Sequence, residues 1–109
     1  MKQYQIRWAH LPEPIGHRPM LLLTRSAAYG YLTKILAAEV TTHTRGIAVE
    51  VPFGRRDGVP KSCAAKLDNI HLLPIRSIGE LIATVRPERV VEIKRALGHA
   101  LCWPELMGL

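Results

Sequence analysis

The sequence predicts a mainly β domain: a small, curved antiparallel sheet or barrel closed by one C-terminal helix. Three observations predict it. Short apolar runs, each bounded by Pro, Gly or polar residues, follow one another up to about residue 85, the punctuation of strands and turns. The period then changes, with Val90, Ile93, Leu97 and Leu101 recurring at helical spacing. The whole is 109 residues long, which suits one domain, residues 1–109, and is too short for two.

The elements follow in order. Residues 6–11 read as a short strand with Ile6, Trp8 and His10 on one face. Pro12, Pro14 and Gly16 make residues 12–16 a loop, since neither a ladder nor a helix accepts that run. Residues 19–24 read as a buried strand, residues 26–32 as either a helical turn or a loop, and residues 34–41 as a further apolar strand. Over residues 46–52, Ile47, Val49 and Val51 alternate with Ala48 and Glu50, the pattern of a half-buried strand. Asp57-Gly58 marks a tight turn within residues 54–60. Residues 62–67 and 69–73 read as two strands or as one strand broken near Asp68, and residues 81–85 add a short one. Pro87 suits the first turn of the helix, Pro104 stops it, and Gly98 weakens its last turn.

Composition narrows the function. Fifteen Lys and Arg stand against nine Asp and Glu, a net charge of +6, so an acidic partner is expected: nucleic acid, an acidic protein tail or an anionic membrane. The apolar runs fall far below the ~18 residues of a spanning helix, and residues 1–5 carry no apolar signal core. Cys63 and Cys102 form no CxxC pair, which argues against a zinc ribbon or thioredoxin-type site and for free thiols in a reducing cytoplasm.

The chemistry-bearing residues lie at strand ends. Gly16-His17-Arg18-Pro19 precedes the apolar run 20–23, and Thr41-Thr42 ends the strand 34–41. A guanidinium offers a rigid fork of donors to phosphate oxygens. A threonine hydroxyl can orient a phosphate by hydrogen bonding. No metal motif, Gly-rich phosphate loop or other catalytic signature competes with them.

These segments resemble the MazF/PemK family of toxin endoribonucleases. Residues 6–11, with Trp8, are similar to the family's first strand. Arg18-Pro19-Met20-Leu21-Leu22-Leu23-Thr24 resembles its Arg-Pro block, a run of apolar residues ending in a hydroxyl. Residues 38–42 resemble its Thr-bearing strand end, Arg45-Gly46 through Glu50-Val51 its next strand, and Lys66-Leu67-Asp68-Asn69-Ile70 the one after. The resemblance implies an SH3-like, CcdB/MazF-type antiparallel β-barrel with a C-terminal α-helix, acting as a homodimer. It implies cleavage of single-stranded RNA at a short sequence with neither metal nor cofactor, and neutralisation by a cognate antitoxin through an acidic disordered tail. It also implies a cytoplasmic toxin, not a membrane partner.

By the same resemblance Arg18 matches the family's catalytic arginine and Thr41 its catalytic threonine. Glu13 stands in the preceding loop, where it would act as a base or orient Arg18, and His17 would supply acid–base function. Thr42 and His43 are neighbouring RNA contacts, Arg45 and Lys61 (with Arg55 and Arg56) are candidates for backbone phosphates, and Asn69 for a base edge. Trp8 reads as core. The chain departs from the family pattern at Tyr4, Gln5, His10 and Glu39 and in a short 12–17 loop. If Glu39 faced the groove it would repel phosphate or join the chemistry. A CcdB-like poison of DNA gyrase and a non-catalytic nucleic-acid-binding module of the same shape are the competing readings.

Overall fold

The computed structural model describes residues 1–109. Its strands are β1 (Gln5–His10), β2 (His17–Leu22), β3 (Lys34–Thr41), β4 (Glu50–Phe53), β5 (Cys63–Pro74) and β6 (Ile78–Thr84). They form one six-stranded antiparallel sheet in the order β4-β5-β3-β2-β1-β6. The helix α1 (Val90–Leu101) and a short α2 (Pro104–Met107) complete the chain. Fold class and element order are as the sequence predicts.

The sheet wraps around its main core. Val51 and Phe53 from one edge strand and Ala83 from the other lie in the same buried cluster as Leu21, Ala38 and Ala65 from the centre. Side chains rather than a ladder bring the two edges together. Gly58, at φ 89°, lies in van der Waals contact range of Ala83, where a Cβ on the glycine would stand 3.5 Å from the alanine's. Beside it Asp57, after β4, pairs with Arg86, after β6. The helix seals the core with Ile93 and Ala96. A smaller cluster of Ala9, Met20, Leu22, Ile35, Ala37 and Leu73 fills the opposite face, so the central strands are buried on both sides.

Two elements differ from expectation, and two that the sequence left open are settled. The strand expected over 46–52 shrinks to Glu50–Phe53. The Glu50 carboxylate draws the chain into a loop instead: its Oε1 accepts the backbone N–H of Arg45 at 2.9 Å and of Gly46 at 3.0 Å. Gly46 adopts φ 65° there, a conformation open to glycine. The segments 62–67 and 69–73 are one 12-residue strand, β5, whose pairing with β3 jumps from Ala38↔Ile70 to Glu39↔Lys66. That bulge lets a single strand serve two directions of a curved sheet. Residues 26–30 settle as a 3₁₀ turn, and β6 starts at Ile78, three residues before the expected 81.

Gly98 does not end the helix, which runs on to Leu101. It makes room: a Cβ there would meet Met107 N at 2.7 Å and Leu106 Cβ at 2.8 Å, so α2 folds back directly onto it. Of the helical stripe, Ile93 is buried while Leu101 is exposed.

Candidate active site

The ends of β1, β2 and β3 and the segment before β5 surround a cavity of about 480 Å³. Its floor is apolar, built from Ile6, Trp8, Pro19, Val40, Val59 and Ile82. Its polar lining is His17, Arg18, Thr41, Thr42, His43 and Lys61. No Asp or Glu lines it. Its charged groups are therefore cations, and an anion is the ligand it suits.

Strand register places the first pair of residues. His10 faces His17 and Ala9 faces Arg18 across β1 and β2. The His17 ring lies between two aromatic rings, 4.3 Å from Trp8 and 4.5 Å from His10 by centroid, with interplanar angles of 21° and 16°. This stack fixes one imidazole at the rim. The Arg18 guanidinium makes one hydrogen bond, from Nε to the Ile15 carbonyl at 3.1 Å. That bond aims the side chain and leaves both terminal NH₂ groups free. The pattern is that of an arginine held for an external oxyanion.

Thr41 is the last residue of β3. Its Oγ1 accepts the backbone N–H of His43 at 3.1 Å, a local turn common where a hydroxyl residue ends a strand. The hydroxyl hydrogen is not used by that bond and remains free to donate. Cys63 also lines the cavity. Burial, and then the nearby Asp57 charge, pushes its thiol up, away from the thiolate that a nucleophile needs.

The structure thus gathers His17, Arg18, Thr41, Thr42, His43 and Lys61 around one cavity. Glu13, Arg45 and Asn69 do not line it. The Glu13 carboxylate instead lies over Gly16, 3.3 Å from where a Cβ would be, and Arg18 bonds the Ile15 carbonyl rather than Glu13. Arg45 contributes its backbone N–H to the Glu50 loop. Asn69 falls in the β5 bulge, between the paired residues Lys66 and Ile70. Glu39 does not line the groove either. It reaches across to β5, where its Oε2 lies 2.6 Å from His71 Nε2.

Sequence reasoning missed the stacking role of Trp8, which is only partly buried, and the part played by His10. The signal was present in the alternation that puts Ile6, Trp8 and His10 on one face.

Comparison with known proteins identifies the chain's relatives. Residues 2–101 match the family model described as PemK-like, MazF-like toxin of type II toxin-antitoxin system. Endoribonuclease MazF3 of Mycobacterium tuberculosis is 30% identical over 95 residues, covering 87% of this chain and 92% of that protein. The solved structure of Mycobacterium tuberculosis toxin MazF-mt6 superposes with a TM-score of 0.83 at 30% identity, over 90% of this chain and 96% of that one. A mycobacterial endoribonuclease in complex with its cognate antitoxin superposes with a TM-score of 0.82 at 25% identity, over 95% and 97%.

Proposed function

Because this chain belongs to the PemK-like, MazF-like toxin family of type II toxin–antitoxin systems, we infer that it is a sequence-specific endoribonuclease toxin. It cleaves single-stranded RNA and is held inactive by a cognate antitoxin. One observation carries the reading: Arg18 of β2 and Thr41 of β3, remote in sequence, line one cationic cavity with donors to spare, the two terminal NH₂ groups of Arg18 and the hydroxyl of Thr41.

The cavity's chemistry matches the needs of RNA cleavage. The ribose 2′-oxygen forms a bond to phosphorus, the P–O5′ bond breaks, the 2′-hydroxyl proton leaves to a base and O5′ takes up a proton. Arg18 and Lys61 neutralise the charge that grows on the phosphoryl oxygens, the kind of preorganised stabilisation that dominates such reactions. The Thr41 hydroxyl orients the scissile phosphate. With no carboxylate in the lining, His17 and His43 are the side chains suited to move protons. Thr42 is a neighbouring contact to RNA. Glu13, Arg45 and Asn69, outside the cavity, serve at most as outer contacts to a longer RNA.

The same cationic groove suits an acidic, disordered antitoxin tail, and the working form is a homodimer in the cytoplasm. No helix is long and apolar enough to cross a membrane. A gyrase poison would have no use for the Arg18–Thr41 pairing.

The test is incubation of the purified protein with a long mixed-sequence single-stranded RNA in EDTA, with Arg18→Ala and Thr41→Ala alongside. Discrete fragments with wild type and none with either variant are expected. RNA left intact by the wild type, or cut equally by both variants, would overturn the assignment.

A further inference from the structure

A second cavity of about 410 Å³ adjoins the first, and Thr42 and Cys63 line both. At its edge stands Glu50, only 8% exposed. One carboxylate oxygen, Oε1, accepts the backbone N–H groups of Arg45 and Gly46. The other, Oε2, is buried and has no hydrogen-bond partner. A buried carboxylate oxygen with nothing to accept is costly. No cation resolves it: none of the ion pairs involves Glu50. The lining offers the apolar Ile47 and Phe53 beside this carboxylate and the hydroxyls of Thr42, Thr44 and Ser62, the mixture that holds a flat ring and reads one edge of it.

We propose that this second cavity is a base-reading pocket for the nucleotide next to the scissile phosphate, and that Glu50 Oε2 accepts a hydrogen bond from that base's exocyclic amino group. The proposal rests on the endoribonuclease reading and extends it to sequence choice. Carboxylates read bases as acceptors, with the cytosine amino group a natural partner. Uracil is the base the pocket rejects, because it carries a carbonyl where cytosine carries the amino group. The shared wall of Thr42 and Cys63 sets the distance: a phosphate in the first cavity leaves its neighbouring base at the second. Oε2 is covered in the unbound protein, so a base reaches it by pushing aside the side chains of Thr44 and Ile47, which line the cavity, while the Arg45 and Gly46 N–H groups keep Oε1.

The experiment starts from the cleavage motif mapped with wild-type protein. Each amino-bearing base flanking the cut is then replaced, one at a time, by its counterpart without the group: cytosine by uracil, adenine by purine riboside, guanine by inosine. At one position the rate should fall about tenfold or more. The Glu50→Gln protein, checked for fold by circular dichroism and melting, should lose or invert that discrimination. Its carbonyl oxygen stays with the two backbone N–H groups, and its NH₂ then faces the pocket as a donor. Wild-type rates indifferent to every replacement would overturn the proposal. So would a Glu50→Gln protein that keeps the same preference, or one that merely melts lower with an unchanged motif. If wild type cleaves nothing, it is the nuclease reading that fails. Anisotropy binding of short single-stranded oligomers that need no mapped motif, oligocytidine against oligouridine and oligoadenosine against its purine riboside counterpart, then decides the pocket separately: a preference for the amino-bearing member that Glu50→Gln abolishes supports it, and equal binding overturns it.

Discussion

Arg18 and Arg89 carry the same side chain to opposite ends. Arg18 makes one bond, to a backbone carbonyl, and leaves its terminal nitrogens open to the groove. Arg89, at the foot of the helix, donates to Asp57 Oδ1 at 2.9 Å, to the Pro52 carbonyl at 2.6 Å and to both carboxylate oxygens of Glu92. Its guanidinium also lies 5.1 Å from the centre of the Phe53 ring. The Asp57 carboxylate it holds is 6% exposed and is shared with Arg86. A guanidinium with four of its five donors engaged clamps elements together. One with donors to spare is available to a ligand.

Exchanging either for alanine sharpens that contrast. Arg18→Ala should lower RNA cleavage by about 10²–10³-fold, the usual cost of losing one donor to a developing oxyanion. Its unfolding free energy should move by less than about 0.5 kcal/mol in a urea titration. Arg89→Ala should do the reverse. It should cost roughly 2–3 kcal/mol of stability, below the full cost of breaking a buried pair because Arg86 still faces Asp57. Cleavage per folded molecule should stay near wild type. If Arg89→Ala abolished cleavage while remaining fully folded, the division between clamp and site would be broken.

A smaller effect is expected at Gly98. Alanine gains about 1 kcal/mol in helix propensity, but its Cβ would strike the backbone of Met107. Gly98→Ala should therefore be destabilising by about 1–2 kcal/mol net, as overpacking generally is. A stabilised variant would show that α2 detaches easily. Lys61→Ala should weaken RNA binding evenly across sequences and reduce the slope of log affinity against log salt by about one. An unchanged slope would remove Lys61 from the phosphate contacts.

The mildest lever is pH. Burial pushes the Asp57 carboxyl up, but the Gly54 N–H and the Arg86 and Arg89 guanidinium groups outweigh it and hold it below the ordinary value. A depressed folded-state pKa means stability that is fully present above the unfolded value near pH 4. It is lost as pH falls through the folded value. Melting curves from pH 7 down to pH 2 should show this loss, and Asp57→Asn should flatten it. An identical slope in the variant would place the acid sensitivity elsewhere.

The parts of this molecule that follow from short-range rules were legible in the sequence. Pro12, Pro14 and Gly16 marked their loop, Asp57-Gly58 its turn, and the stripe from Val90 its helix. The Arg18 and Thr41 pairing was legible through family resemblance, and the β-barrel brings both to one cavity. What escaped was set by single long-range or side-chain contacts. Nothing in the alternation of Ile47, Val49 and Val51 says that Glu50 will bend residues 45–49 into a loop. Nothing in Glu39 alone says that a bulge will carry it to His71 rather than to the groove. Trp8 was legible as apolar and inward, but its stacking on His17 depends on a register that only pairing of β1 with β2 supplies.

The seam where Gly58 meets Ala83 has one further consequence. Because no ladder crosses it, residues 60–62 run between two fixed points, the buried Val59 on one side and the start of β5 on the other. They carry Pro60 and Lys61 to the groove without lending a rung to the sheet. Insertions and deletions there leave every strand pair intact, and added loop length costs little entropy. The rim of the active groove can thus be recut in length and charge, and with it the RNA it admits, on a barrel whose stability stays the same.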